Sequence, residues 1–352
     1  MTNASLRPRK ATLQDVADRA GVSLATASRV LNAGSRRVGR SMADRVNQAV
    51  AELGYTANLQ ARAVATGQSA MVGVVVHDIA DPYFSSIAAG LIEAAETLGL
   101  LVCMSSTSAT EVAEREYVAL MRAQRARAVV LIGSRSDDAA ARDALRVEIE
   151  AFTRSGGQAV CVGQDLLGVD TIRPENLAGA SALARALAAL GHRSFAVLAG
   201  PRGLLTARDR LEGFRAGLTA WSIPAELVRV VHGEFTRDGG YEAMSAILAA
   251  GEPFPDCVFA VTDVMAVGAL ARLRAAGIEV PGQIAVAGFD DIITLRDVYP
   301  PLTTVRLPLK RMGEMAAGLL VSGIHPDPAR PRVVPVPGEV IMRDSTNRRP
   351  PG

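Results

Sequence analysis

Little in this chain points to covalent chemistry. Its 352 residues include three cysteines, four histidines and one tryptophan, and only 4% are aromatic. Cys103, Cys161 and Cys257 each sit inside an apolar run that reads as a buried strand, with no CxxC spacing and no histidine close by. They are therefore expected to be core thiols in a reducing compartment rather than metal ligands or nucleophiles. His77, His192, His232 and His325 are scattered, so no metal-ligand spacing arises, and neither metal nor cofactor is expected. There is no GxSxG, no GxGxxG after a strand and no phosphate-cradling loop of the GxxxxGK type, which argues against an enzyme. Long apolar runs are absent too. MVGVVV at 71–76 is strand-sized, and MTNASLRPRK at the N-terminus has no apolar segment, so a cytoplasmic chain with no membrane span is expected. The C-terminal stretch GEVIMRDSTNRRPPG has two prolines and no leucine heptad, so no coiled coil is appended and a homodimer formed through the body is expected.

Net charge is also nearly missing, at +2, but its distribution is uneven. Residues 1–69 carry ten Arg or Lys against four acids, a balance of +6, and the remainder carries 28 against 32, a balance of −4. A basic N-terminal segment on an acidic body places attraction for phosphate at one end of the chain. With 49% hydrophobic and 21% charged residues, the rest can bury a large core and should form more than one domain.

The basic segment has an internal plan. In TLQDVADRAGVSLATASRVLN (12–32), Leu13, Val16, Ala17 and Ala20 recur at i, i+3, i+4 and i+7 and give one apolar stripe. Thr12 is placed to cap that helix, Gly21 to end it, and Ser23 to cap a second helix at once. A third helix is expected at about 41–54, with Val46, Val50 and Leu53 on one face. An ordinary helical hairpin would show the same stripe, but three short helices around a small core match the helix-turn-helix that enters a major groove. On the second helix, Leu24, Ala25, Ser28 and Arg29 should face outward, with Ser23 and Thr26 able to donate to phosphates. Arg29 is the candidate for a forked contact to a guanine edge, and Leu24 and Ala25 for apolar contact to a thymine methyl.

These residues, followed by AELGYTAN, resemble the DNA-binding headpiece of the LacI/GalR (lactose/galactose repressor) family of bacterial transcription regulators. The resemblance continues through DPYF (81–84), LAGP (198–201), RLEGF (210–214), TDVMAVGAL (262–270), VAGFDD (286–291) and PPLTTVR (300–306). It implies a dimeric transcriptional regulator, in the repressor mould, acting on a pseudo-palindromic operator in double-stranded DNA, cytoplasmic and associated with the nucleoid. It extends the DNA-contacting set to Thr12, Tyr55, Asn58, Ala61 and Val64. It also makes residues 57–69 a hinge helix that orders on DNA and wedges Val64, where many relatives carry Leu, into the minor groove. On the residues alone, NLQARAVA is too short to hold as an isolated helix, and a flexible linker is the alternative reading.

From 71 onward, β-branched runs alternate with Ala/Leu-rich helical stretches. Strands are expected at 71–77, 100–106, 127–133, 159–163, 195–200, 228–233, 256–261 and 284–289. Strands apolar on both faces and separated by helices mean parallel sheets covered on both sides, which points to an α/β body of two doubly wound subdomains. The division expected is a tail (1–10), a headpiece (11–56), a hinge (57–69), an effector-binding and dimerisation body (70–345) and a tail (346–352). The resemblance implies a periplasmic-binding-protein type of body with three crossings between subdomains, placed near 164–172, 291–300 and 323–332.

In such folds ligands bind beyond the carboxyl ends of the strands. The candidates there are Tyr83 and Phe84, Arg210, Phe235, Thr262 and Asp263, and Asp290 and Asp291. The resemblance makes Arg210 and Asp290 charged grips and Phe84 and Phe235 aromatic walls. Thr262 stands where Asn is usual, and Leu307 where relatives often place Gln. An Arg fork, an Asp acceptor and an aromatic face suit a hydroxylated, sugar-like effector. An Asp after a strand also serves as a helix N-cap, the reading favoured for Asp263, and Phe235 could be plain core.

Overall fold

The computed structural model describes residues 11–33, 39–56, 69–107, 110–321 and 331–347. The tail 1–10, most of the expected hinge with Asn58, Ala61 and Val64, and residues 322–330 and 348–352 lie outside the described residues. The chain divides into two compact units, Met1–Ser69 and Ala70–Gly352.

In the first unit, α1 (Leu13–Ala20) opens with a capping box. The Thr12 hydroxyl accepts from the Asp15 amide, and the Asp15 carboxylate accepts from the Thr12 amide at 2.8 Å. It ends at Gly21, whose φ of 62° a residue with a side chain adopts only with strain. Ser23 accepts from the Thr26 amide at 3.1 Å and so starts α2 (Leu24–Ala33) after a turn of three residues. With α3 (Arg40–Leu53), these helices bury Val16, Ala20, Val30, Ala43, Val46 and Ala49, and Val22, Leu31, Val50 and Tyr55 pack against that core. Leu53, expected on the inner face of the third helix, is instead 36% exposed at its last residue, and the small side chains of Ala43 and Ala49 complete the inward face.

The second unit is built on two parallel sheets. The first has the order β11-β5-β4-β3-β1-β2, from β1 (Met71–Val76), β2 (Leu101–Ser106), β3 (Ala128–Ile132), β4 (Gln158–Val162), β5 (Asp170–Pro174) and β11 (Val333–Val336). The second runs β7-β6-β8-β9, from β6 (Phe195–Leu198), β7 (Val228–Val231), β8 (Cys257–Ala260) and β9 (Ala285–Ala287). An antiparallel pair, β10 (Thr304–Arg306) with β12 (Glu339–Ile341), is bridged to the segment at β9 through Ala287–Thr303 and Asp290–Arg306. Helices α4 (Pro82–Thr97), α5 (Glu111–Ala123), α6 (Ala139–Arg154) and α11 (Leu309–Val321) serve the first sheet, and α7 (Asn176–Ala189), α8 (Leu205–Thr219), α9 (Arg237–Ala249) and α10 (Asp263–Ala275) serve the second. This is the α/β class with two doubly wound subdomains.

The crossings fall elsewhere than expected. Residues 170–172, assigned to the first crossing, are strand, with Cys161 opposite Thr171 and Thr171 opposite Val333, so the chain leaves the first sheet at 174–176. It returns at 307–309, between β10 and α11, because the segment near 291–300 stays with the second sheet through a short 3-10 turn at Ile293–Asp297. The last passage lies at 337–338, between β11 and β12, since β11 still pairs with β5.

Glycine sets how closely the helices pack. A Cβ on Gly90 would lie 2.0 Å from the Lys310 carbonyl oxygen, and one on Gly313 1.9 Å from that of Ile87, so α4 and α11 cross backbone against backbone. Gly240 and Gly268 do the same for α9 and α10, at 2.1 Å from the Met265 oxygen and 1.9 Å from the Arg237 oxygen. Gly268→Ala should therefore lower the thermal unfolding midpoint, because overpacking of roughly 1–3 kcal/mol exceeds the ~1 kcal/mol that Ala adds in helix propensity. A midpoint that rises would mean the two helices can simply move apart.

Candidate functional site

The carboxyl ends of both parallel sheets converge on one small cavity. It is lined by His77, Asp81, Tyr83 and Phe84 after β1, Ser134 after β3, Thr206 and Arg210 on α8, Phe235 after β7, Thr262 after β8 and Asp290 after β9. All six effector candidates, Tyr83, Phe84, Arg210, Phe235, Thr262 and Asp290, are thus brought together. Asp263 and Asp291 are not among the lining residues. His77, Asp81, Ser134 and Thr206 are the lining residues that sequence reasoning missed.

Arg210 holds the site's charge. Its side chain is 2% exposed, and its two terminal nitrogens meet the Asp290 carboxylate at 2.7 and 3.2 Å. Nε donates to the Asn176 side-chain oxygen at 2.9 Å, one terminal nitrogen also donates to the Val261 carbonyl at 2.7 Å, and the guanidinium lies 3.9 Å over the Phe289 ring. A buried cation is tolerable only when its donors are satisfied in this way. Burial pushes the Asp290 carboxyl up, and the two-point contact with the Arg210 guanidinium opposes that rise. The Asp290 backbone takes φ 118°, fixed by its amide donating to Val305 and by its carbonyl accepting from Leu307. Aromatic walls flank the charges: Tyr83 meets Phe84 edge-on with ring centroids 5.0 Å apart, and Phe235 crosses so close to Gly200 that a Cβ there would lie 2.1 Å from its ring. Thr262 turns out to be the N-cap of α10, its hydroxyl accepting from the Met265 amide at 3.4 Å.

Behind His77 lies a second buried ion pair. Arg135 is fully buried and engages Glu114 with both terminal nitrogens, and the His77 ring stands 3.7 Å from the same carboxylate. Burial alone would raise Glu114, but Arg135 and His77 hold it down to about 2. The main chain of this layer also joins the two subdomains. The Leu205 amide donates to the Arg135 carbonyl and the Asp137 amide to the Gly203 carbonyl, each at 2.9 Å, and the Thr206 amide donates to the Ser134 hydroxyl at 3.0 Å. With this rim closed the cavity holds about 40 Å³, far below the roughly 300 Å³ at which small-molecule sites begin. Admission of a sugar-sized molecule therefore requires the rim to part.

Asp263, expected as an N-cap, is not the cap, because Thr262 fills that position. Its two oxygens instead accept from the Thr304 hydroxyl at 2.7 Å and the Ile292 amide at 3.0 Å, which fastens the loop after β9 to β10. Asp291 likewise takes Arg306 and Arg343, each at 2.7 Å, and works as a structural clamp.

In the headpiece, Thr12, Ser23, Leu24, Ala25 and Arg29 are exposed, and Thr26 and Ser28 are half-buried. Leu24 is 45% exposed, high for a leucine that begins a helix of a small domain. Ser23 and Thr26 already share a hydrogen bond at 2.8 Å, which fixes both hydroxyls at the start of α2. Tyr55 is half-buried against the headpiece core.

Comparison with known proteins assigns both units. Residues 12–58 match the model of the bacterial regulatory proteins, lacI family, and residues 184–346 match that of the periplasmic binding protein-like domain. The chain is 31% identical to the HTH-type transcriptional regulator CelR of Thermobifida fusca over 344 residues, 96% of this chain and 99% of that protein. It is 32% identical to the HTH-type transcriptional regulator GalR of Escherichia coli over 314 residues, 89% of each. Among solved structures, the lac repressor dimer bound to operator and the anti-inducer ONPF matches with a TM-score of 0.81 at 28% identity, over 96% of this chain and 99% of that one. The CelR–cellobiose complex matches with a TM-score of 0.68 at 29% identity, over 95% and 99%. A helix-turn-helix headpiece followed by two doubly wound subdomains that share a polar cleft defines a DNA-binding transcriptional regulator rather than an enzyme. The chain belongs to the LacI family of bacterial regulatory proteins.

Burial raises the Asp263 carboxyl to about 6 although Thr304 and Ile292 both donate to it. The folded chain then binds a proton that the unfolded chain has released, so the stability Asp263 supplies falls as pH rises from about 4 to about 6. The destabilisation caused by Asp263→Asn should accordingly be smaller at pH 7 than at pH 4.5, by ~2 kcal/mol. Denaturant titrations of both proteins at the two pH values measure the difference, and a penalty that grows with pH refutes it.

Proposed function

We propose that this regulator reads a pseudo-palindromic operator as a homodimer and changes its hold on that DNA when a neutral, hydroxylated small molecule of the sugar class enters the cleft. The observation that carries the effector class is the Arg210–Asp290 pair standing among aromatic rings. Because the two charges neutralise each other, the pair makes no net demand for an anion, Asp81 adds an acceptor for hydroxyls, and Tyr83, Phe84 and Phe235 supply faces for the apolar side of a ring. The CelR–cellobiose complex and the operator-bound lac repressor dimer support the same reading by likeness. On the DNA side, Arg29 would fork onto a guanine, Leu24 and Ala25 would touch base edges, and Thr12, Ser23, Thr26, Ser28 and Tyr55 would hold phosphates. Asn58, Ala61 and Val64 of the hinge would follow the minor groove on the nucleoid DNA of the cytoplasm. Rotation of the subdomains would alter the spacing of the two hinges and so transmit effector binding.

A fluorescent palindromic duplex with a central CpG step, titrated at several salt concentrations, tests the DNA half. Tight binding with a steep salt slope is expected, and Arg29→Ala should remove roughly 1–3 kcal/mol of discrimination between operator and scrambled duplex. Equal affinity for both duplexes in the intact protein would defeat the assignment. For the cleft, a panel of neutral mono- and disaccharides should contain at least one that raises the unfolding midpoint of the wild type and not that of Phe84→Ala. If only sugar acids act, the neutral-ligand reading fails.

A further inference from the structure

We propose that the C-terminal subdomain carries a second ligand site outside the cleft, a groove that takes a phosphorylated small molecule through its phosphate. The groove has a volume of about 320 Å³ and runs between the outer face of α8 and the edge strand β7. Arg208 and Arg215 reach it from two turns of the helix, Arg202 from the loop between β6 and α8, and His232 from the end of β7. No carboxylate is among the residues that line it. Arg202 and Arg215 are exposed, and their side chains make no hydrogen bond or ion pair among the described residues, while Arg208 approaches Glu212 only at 3.9 Å. His232 donates from Nδ1 to the Gly200 carbonyl oxygen at 2.9 Å, which sets the ring's orientation at the end of the groove.

Arg202 and Arg215 thus carry charge with no ion partner among the described residues, and guanidinium forks match the oxygens of a phosphate. The larger groove beside the loop after β9 makes the contrast clear. It too is lined by cations, but Arg306 and Arg343 there are engaged by Asp291, and Lys310 is engaged by Glu93. Arg296 on that lining has no ion pair among the described residues, but the lining includes the acids Asp291 and Glu93, whereas that of the groove on α8 includes none. Its floor includes Leu211 and Val230, and its volume exceeds what a bare phosphate fills, so the ligand brings a carbon skeleton as well. The position matters for regulation because α8 presents Thr206 and Arg210 to the cleft from its other side.

Calorimetric titration of the full-length protein with glucose 6-phosphate, inorganic phosphate and glucose, in buffers of matched ionic strength, tests the site. Saturable binding of glucose 6-phosphate is expected, with inorganic phosphate competing for the same groove. The double variant Arg202→Ala/Arg215→Ala should weaken it by about tenfold or more at an unchanged unfolding midpoint, and replacement of the same two arginines by Lys should recover part of the loss. Phe84→Ala, in the cleft, should leave binding of the phosphate compounds unchanged, so failure of the cleft reading and failure of this site are separable. Absence of saturable binding, indifference to the double variant, or an equal loss in Phe84→Ala would overturn the proposal.

Discussion

A guanidinium removed from water needs partners for its nitrogens, and Arg210 finds them in three separate parts of the second unit. Its partners are Asn176 at the start of α7, the main chain at the end of β8, Asp290 past β9 and the ring of Phe289. None of these segments neighbours α8 in sequence, so satisfying one side chain fixes the ends of the second sheet relative to one another. The unusual φ of Asp290 belongs to the same requirement, since that backbone turn is what sets its carboxylate against the arginine. Arg135 and Glu114 form a second buried pair on the first sheet, less completely satisfied because Arg135 Nε has no hydrogen-bond partner among the described residues, and this pair backs the His77 ring. The cleft thus has one ion pair on each side, with Asp81, hydroxyl groups and aromatic rings presented between them.

How much of this the sequence discloses depends on the physics of each part. Strands such as Met71–Val76 and Ala128–Ile132 are legible because both faces are buried, which forces an uninterrupted apolar run. Asp170–Pro174 is not, because DTIRP carries two charges and a proline. It becomes a strand by lying between β4 and β11, where Asp170 also receives Arg332 from a segment 162 residues away. The misplaced crossings follow directly from that one hidden strand and from the short pieces β10 and β12, which pair with each other across 33–37 residues.

The site shows the same division. Arg210, Asp290 and the aromatic candidates stand out as unusual residues at strand ends, and they meet in space. His77, Asp81, Ser134 and Thr206 are residue types that turns and helix caps also use, and Asp81 does cap α4 through the Tyr83 amide, so nothing in their local pattern distinguishes a lining residue from a structural one. Their sole signal is position, immediately after β1 or β3 or at the start of α8. The Arg135–Glu114 pairing, across 21 residues, has no local signal at all.

The joint between residues 134–137 and 203–206 is made largely from peptide groups, with Ser134 supplying the one side-chain oxygen among its three bonds. Peptide groups are common to all residue types apart from proline's missing donor. The cavity is lined instead by side chains, of which only Ser134 and Thr206 also belong to this joint. Selection could therefore rewrite the chemistry of the pocket one residue at a time while the hardware of closure stays the same, so that a single mechanical frame can serve regulators tuned to unrelated nutrients.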